Sequence, residues 1–336
     1  MSSLSKRSGF FAGGNFIIDS VKTIDGWPEQ DTLCSISEIE RCNGGGPYNL
    51  LKNLARLDPA LKLEACGQVG DDPEGQSILD DCQACGIGTT QLRKIAGPPT
   101  SVTDVMTDAA TGRRTFFHAR GANADLDQAA FDFSASSARV FYLGYLMLLD
   151  TLDELDEAGS TGASRVLRSA REAGMIAAVD CVSTPHPQWR EIALASLREA
   201  DVFFLNELEA GMILRREVMV DNAEEALGEI GGHASHGSIV LHFPDGAYVR
   251  DAATGEVVHG PSLDFPNAKI AGASGAGDAF ATGYLYGVHE GWTVAECLRA
   301  AACVAAASLS AATPSDGILP IADCLQLSDQ YGFRQD

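Results

Sequence analysis

Basic residues are scarce: 24 Lys plus Arg stand against 46 Asp plus Glu in 336 residues, a formal charge of -22 at pH 7. A field of that sign repels phosphate backbones and anionic lipid surfaces, so no nucleic-acid and no membrane partner is expected. The same field opposes any anionic ligand. Such a ligand needs a local cradle of backbone N–H groups, a metal ion or a few placed arginines. Long apolar runs are also missing: the longest covers residues 140–149, short of the roughly 20 needed to span a bilayer. No apolar signal core follows the basic residues Lys6 and Arg7, so a soluble, cytoplasmic protein is expected. There is no Gly-Lys dipeptide, which excludes a Walker A loop. No long Pro, Ser or Gly-rich linker and no repeat divides the chain. Cysteine is not rare, but nine is an odd number, scattered from Cys34 to Cys324, and fits reduced thiols better than a disulfide framework. The one close pair, Cys82 and Cys85, ends an expected helix over 72–85 and has no second pair to complete a zinc site.

What is present is ample core material, 45% hydrophobic residues, arranged in alternating segments. Strand-like runs at 63–69, 140–143, 175–180, 202–205 and 238–243 each lie beside a stretch of helical period. That alternation predicts an α/β fold with a mainly parallel central sheet covered by helices on both faces. One segment breaks the rhythm: 100–107 and 114–118 read as two strands joined by a loop with turn chemistry at 108–112. A hairpin set into an α/β chain suggests a lid over a site. The expectation is a single domain, 1–336, with a small β lid from about 30–42 and 99–120.

The most informative segment runs from Gly272 to Phe280, where Gly275, Ala276 and Gly277 precede Asp278 and a helical pattern to Glu290. Small residues let backbone N–H groups approach a ligand closely, and a helix start adds positive dipole character. Gly275, Ala276 and Gly277 therefore form a candidate anion hole. Asp278, in the first turn, is placed to accept a proton from an attacking hydroxyl while those N–H groups hold phosphoryl charge. A dinucleotide fingerprint requires Gly where Phe280 stands, and a nucleophile elbow requires Gly where Ala276 stands. On its own the segment also reads as a glycine turn capping a buried helix.

The chain resembles the ribokinase-like (PfkB) carbohydrate kinases. Their C-terminal signature Asp-Thr-Thr-Gly-Ala-Gly-Asp is matched by Gly275-Ala276-Gly277-Asp278, and their N-terminal Gly-Gly-x-x-x-Asn by Gly44, Gly45 and Asn49, with Pro47 suited to a first helical turn. Gly14 to Asp19 is similar to the family's Gly-x-x-x-x-Asp, and Gly67 to Gly75 to its Gly-x-x-Gly-x-Asp-x-x-Gly. The resemblance implies a three-layer α/β/α core and transfer of the γ-phosphate of ATP to a sugar hydroxyl. It implies Asp278 as catalytic base with the 275–277 backbone as anion hole, and a sugar site lined by Asp19, Gly44, Gly45 and Asn49. Asn206 and Glu209 match its Asn-x-x-Glu, which serves Mg²⁺ and phosphate through a water shell, with no direct protein ligand to the metal. Arg120 resembles an arginine that reaches the acceptor in some members, and tilts the expected acceptor toward a hexose or keto-acid sugar. Family members often pair their lids, so a homodimer through the lid is implied. His118 reads as a half-buried strand histidine.

The chain departs from the family at four places. Gly272 replaces an acid of the monovalent-cation loop, so potassium activation is doubtful. Leu241-His242-Phe243 replaces Thr-x-Gly near the nucleotide, Asp180 to Ser183 lacks the usual Asn and Arg, and the last helix offers no clear adenine-contacting Asn. Three other functions stay open: a sugar- or nucleotide-binding regulatory protein, a nucleoside kinase and, on scattered glycines alone, a Rossmann dehydrogenase.

Overall fold

The computed structural model describes residues 7–272, 274–311 and 313–335. The opening residues 1–6, Ala273 of the glycine-rich segment and Ala312 at the end of an alanine-rich run lie outside the described residues. The strands are β1 (Phe10–Gly14), β2 (Ile17–Ile24), β3 (Ile36–Gly44), β4 (Leu63–Gly70), β5 (Ile87–Ile95), β6 (Ser101–Asp108), β7 (Arg114–Ala119), β8 (Val140–Leu146), β9 (Ile176–Cys181), β10 (Val202–Asn206), β11 (Ser238–Phe243), β12 (Gly246–Asp251) and β13 (Val257–Pro261). The helices are α1 (Gly46–Leu57), α2 (Pro73–Ala84), α3 (Asp150–Asp153), α4 (Gly162–Glu172), α5 (Trp189–Leu197), α6 (Glu207–Leu214), α7 (Ala223–Gly231), α8 (Ala276–Glu290), α9 (Val294–Ser308) and α10 (Ile321–Tyr331).

Nine strands form a central sheet in the order β13-β12-β11-β10-β9-β8-β1-β4-β5. From β11 across to β5 every pairing is parallel, and only the β11-β12-β13 edge is antiparallel. Adjacent strand residues face opposite sides, and the aromatic pairs show it. Phe10 and Phe204 join one core with Tyr48, Leu51 and Tyr284, while Phe11 and Phe203 join the other with Phe141, Leu167 and Trp189. Each such side chain, fully buried, contributes about 1.5–3 kcal/mol. Burial on both faces makes the sheet the middle of three layers, as expected for an α/β/α core.

Local chemistry places the helix starts. Asp72 caps α2 by accepting from Gly75 N at 2.8 Å, with Pro73 in the first turn. Its other oxygen accepts from Thr100 N at 2.7 Å, which ties this turn to the start of β6.

A second sheet of four strands has the order β3-β2-β6-β7. It contains the expected hairpin, β6 with β7, and also β2, which a lid drawn from about 30–42 and 99–120 leaves out. The six residues from Gly14 to Asp19 therefore cross from one sheet to the other: Gly14 ends β1 and Asp19 lies within β2. In the central sheet β1 has β4 on one side and β8 on the other. The strand order reverses there, and that arrangement opens a crevice at the carboxyl ends of the strands.

Candidate active site

Helix α8 begins at that crevice. Gly275 precedes it in the left-handed conformation, φ 75°, and a Cβ there would lie 2.4 Å from Cβ of Pro314. No side chain caps the helix, so the N–H groups of Ala276, Gly277 and Asp278 lack the acceptors an α-helix interior supplies. Asp278 is only 7% exposed. Its Oδ2 accepts from Nδ2 of Asn49 at 2.9 Å and its Oδ1 from the Tyr145 hydroxyl at 2.6 Å. Burial pushes its pKa up to about 6, against the pull of those two hydrogen bonds.

Asn49 comes from the first turn of α1, and its Oδ1 is buried without a partner among the described residues. Gly45, between β3 and α1, has φ 96°, and a Cβ on it would meet the Asn15 carbonyl oxygen at 2.1 Å. The Asp19 carboxylate lies against Gly44, where a Cβ would come within 2.0 Å of Oδ2. Burial raises the Asp19 pKa to about 6; a hydrogen bond from Thr103 opposes the rise and the charge of Asp278 adds to it. The two acids thus sense each other, one on the small sheet and one on α8.

Asn206 and Glu209 close a capping box at the start of α6: Glu209 N donates to Asn206 Oδ1 at 2.9 Å and Asn206 N to Glu209 Oε2 at 3.0 Å. Ser183 joins them, donating to Glu209 Oε1 at 2.8 Å and accepting from Asn206 Nδ2 at 2.9 Å. Glu209 is 2% exposed and Asp180 8% exposed. Burial, followed by the charges of Glu209 and Asp278, raises the Asp180 pKa well above the carboxylate range, and burial raises that of Glu209. Asp278, Asp180 and Glu209 form a run of buried acids leading away from the Asp19 side. Arg120 donates to the Met147 carbonyl oxygen at 2.6 Å and pairs with Asp150 at 3.3 Å, so its guanidinium is engaged at the end of β8.

The structure thus brings Asp278, Asn49, Asp19, Gly44 and Gly45 together beside the 275–277 turn, with the Asn206 and Glu209 pair linked to Asp278 through the charge of Asp180. Sequence reasoning missed Tyr145, whose hydroxyl lies on Asp278, and Asn15, whose Oδ1 accepts from Tyr145 N and whose Nδ2 donates to Leu148 O at 3.3 Å. Only the carboxyl end of β8, next to the strand-order reversal, could have pointed to Tyr145. Ser183 was passed over because the 180–183 segment lacks the family's residues.

The chain is similar to known proteins in both sequence and fold. Residues 13–321 match the pfkB family of carbohydrate kinases. A 5-dehydro-2-deoxygluconokinase of Geobacillus kaustophilus is 23% identical over 329 residues, 96% of this chain and 94% of that protein. One from Clostridium perfringens is 24% identical over 272 residues, 76% of this chain and 75% of that protein. Among solved structures, Arabidopsis thaliana ribokinase complexed with ribose and ATP superposes with a TM-score of 0.76 at 20% identity, covering 96% of this chain and 98% of that one. Giardia lamblia ribokinase gives 0.80 at 16% identity, covering 97% and 99%. The structural likeness establishes a ribokinase-like fold, and the match over residues 13–321 establishes the lineage: the chain belongs to the pfkB family of carbohydrate kinases.

Proposed function

We propose that this kinase transfers the γ-phosphate of ATP to a hydroxyl of a small carbohydrate bound between Asp19 and Asn49, with Asp278 as general base. One observation carries the assignment. Asp278 is a buried carboxylate with a raised pKa, fixed by Asn49 and Tyr145 in the first turn of a helix whose leading N–H groups no side chain caps. A base with a pKa near 6 is largely ionised at neutral pH and still basic enough to take a hydroxyl proton as attack begins. The uncapped N–H groups of Ala276 and Gly277, within the 275–277 turn, would hold anionic charge as it develops, and fixed dipoles need no rearrangement to stabilise it.

The acids Asp180 and Glu209 bear on the metal. Both Glu209 oxygens already accept hydrogen bonds from Ser183 and Asn206, which suits the water shell of Mg²⁺ better than direct coordination. Buried carboxylates with raised pKa values are also the environment a divalent cation relieves. Bound there with the phosphates, Mg²⁺ supplies neutralisation of their negative charge. The small sheet serves as a lid that keeps bulk water from competing as acceptor. Its outer apolar residues suit a homodimer, and nine free thiols suit a reducing cytoplasm.

The test is a panel of acceptors assayed for ADP formation with the wild type and Asp278→Asn. The relatives' names put a gluconate-type sugar acid in one arm; the neighbours' names put neutral sugars in a second, and nucleosides form a third. We expect turnover with a sugar and a fall in kcat of about 10²–10⁴-fold in the variant. Unchanged turnover in the variant refutes the base assignment. Ligand binding without turnover in any arm favours a regulatory protein.

A further inference from the structure

The small sheet carries a polar row of which the catalytic reading uses only Asp19. Strand register sets Cys42, Asp19, Thr103 and His118 side by side across β3, β2, β6 and β7, hence on one face of the sheet. That face is the one on which Asp19 feels Asp278. Thr103 Oγ1 lies 3.0 Å from His118 Nδ1. A hydroxyl has one proton and an ionised carboxylate can only accept. Thr103 therefore donates to Asp19 and accepts from Nδ1–H of His118, which leaves Nε2 as a bare lone pair. Nε2 of His118 is buried with no partner among the described residues, as is Oδ1 of Asn49.

Building on the sugar-kinase reading above, we propose that His118 is a recognition residue whose Nε2 accepts a hydrogen bond from a substrate hydroxyl, and that the substrate is an uncharged polyhydroxy sugar rather than a sugar acid. Asn49 Oδ1 and His118 Nε2 are acceptors without donors on either side of the Asp19 carboxylate, itself an acceptor, and a polyol is a set of donors. A carboxylated substrate needs a cation instead. Arg120, whose charge reaches His118, is already engaged by Asp150 and the Met147 carbonyl. Asp180 and Glu209 add to the negative field nearby. Burial holds the His118 pKa down to about 4, so the imidazole is neutral at working pH and offers no positive charge to an acid.

The experiment compares D-fructose and D-ribose with D-gluconate and 2-keto-3-deoxy-D-gluconate, by kinetics and by calorimetric binding, in wild type, His118→Leu and His118→Gln. Expected are a kcat/KM at least tenfold higher for a neutral sugar than for either acid, and a KM for that sugar raised about tenfold in His118→Leu. The kcat should change less than threefold, and His118→Gln, whose Oε1 accepts at the place of Nε2, should restore most of the loss. A preference for the acids, or an unchanged KM in His118→Leu, overturns the assignment. If no acceptor is phosphorylated, the kinase reading falls separately. Recognition is then judged by binding: a tenfold weaker Kd for the neutral sugar in His118→Leu upholds it, and an unchanged Kd or no binding by the wild type overturns it.

Discussion

On the proposed assignment, the raised pKa of Asp278 sets catalysis and stability in opposite directions. As the pH falls through about 6 the carboxylate takes up a proton and can no longer act as base, so kcat should decline on the acid side with an apparent pKa near 6. Steady-state rates from pH 5 to 8 check this; a flat profile would be incompatible with the assignment. For stability the folded pKa lies above that of the unfolded chain, so the unfolded state binds fewer protons between about pH 4 and 6. This group's contribution therefore worsens as the pH rises through that window and stays at full cost above it, about 2–3 kcal/mol for a shift of this size. Asp278→Asn should accordingly raise Tm by about 3–6 °C at pH 8 and by little at pH 4. The Asn49 amide, with its free Oδ1, can turn over to pair with the new amide. Thermal scans at both pH values test the sign, and a variant that melts lower at pH 8 contradicts it.

At the scale of elements, the start of α8 was legible because its information is local: glycines, an acid and a helical pattern within nine residues say where N–H groups converge. Gly275→Ala should damage both functions of that turn. The left-handed φ costs a non-glycine residue on the order of 1 kcal/mol, and Cβ would press on Pro314. We expect a loss of about 1–3 kcal/mol by denaturant titration and at least a tenfold fall in kcat; an unaffected kcat would detach the turn from catalysis. The parallel core was legible too, since strands buried on both faces read as continuous apolar runs. Strand β2 was not. Ile18 and Ile24 pack inward while Asp19 lies against Gly44 within reach of the charge of Asp278, and an acid in mid-strand breaks the alternation by which strands are recognised. Tyr145 was illegible for another reason: its hydroxyl meets an acid 133 residues away, a pairing that only the completed strand order creates. The His118 contact lay between, since the hairpin was foreseen but not the register that sets His118 beside Thr103.

Across the whole molecule, surface apolarity is uneven. Leu33 (88% exposed), Phe116 (61%) and Ile39 (60%), with Trp27, Ile36 and Phe117, all belong to the small sheet or the loop between β2 and β3. Strands β3 and β7 also leave open edges, and apolar sheet surface with free edges is what a second copy covers. Sedimentation equilibrium should find a dimer, and Ile39→Lys should shift it to monomer with little change in the melting of the central domain; a wild-type monomer refutes the pairing. The way the small sheet is attached has one more consequence. Two residues separate β1 from β2, and Gly45 alone separates β3 from α1. The small sheet thus joins α1 one turn before Asn49, the side chain that donates to Asp278. In the proposed reaction, a tilt of the small sheet that brought Asp19 onto a sugar would pass through α1 to Asp278, so that arrival of the acceptor and alignment of its deprotonating group would be one mechanical event.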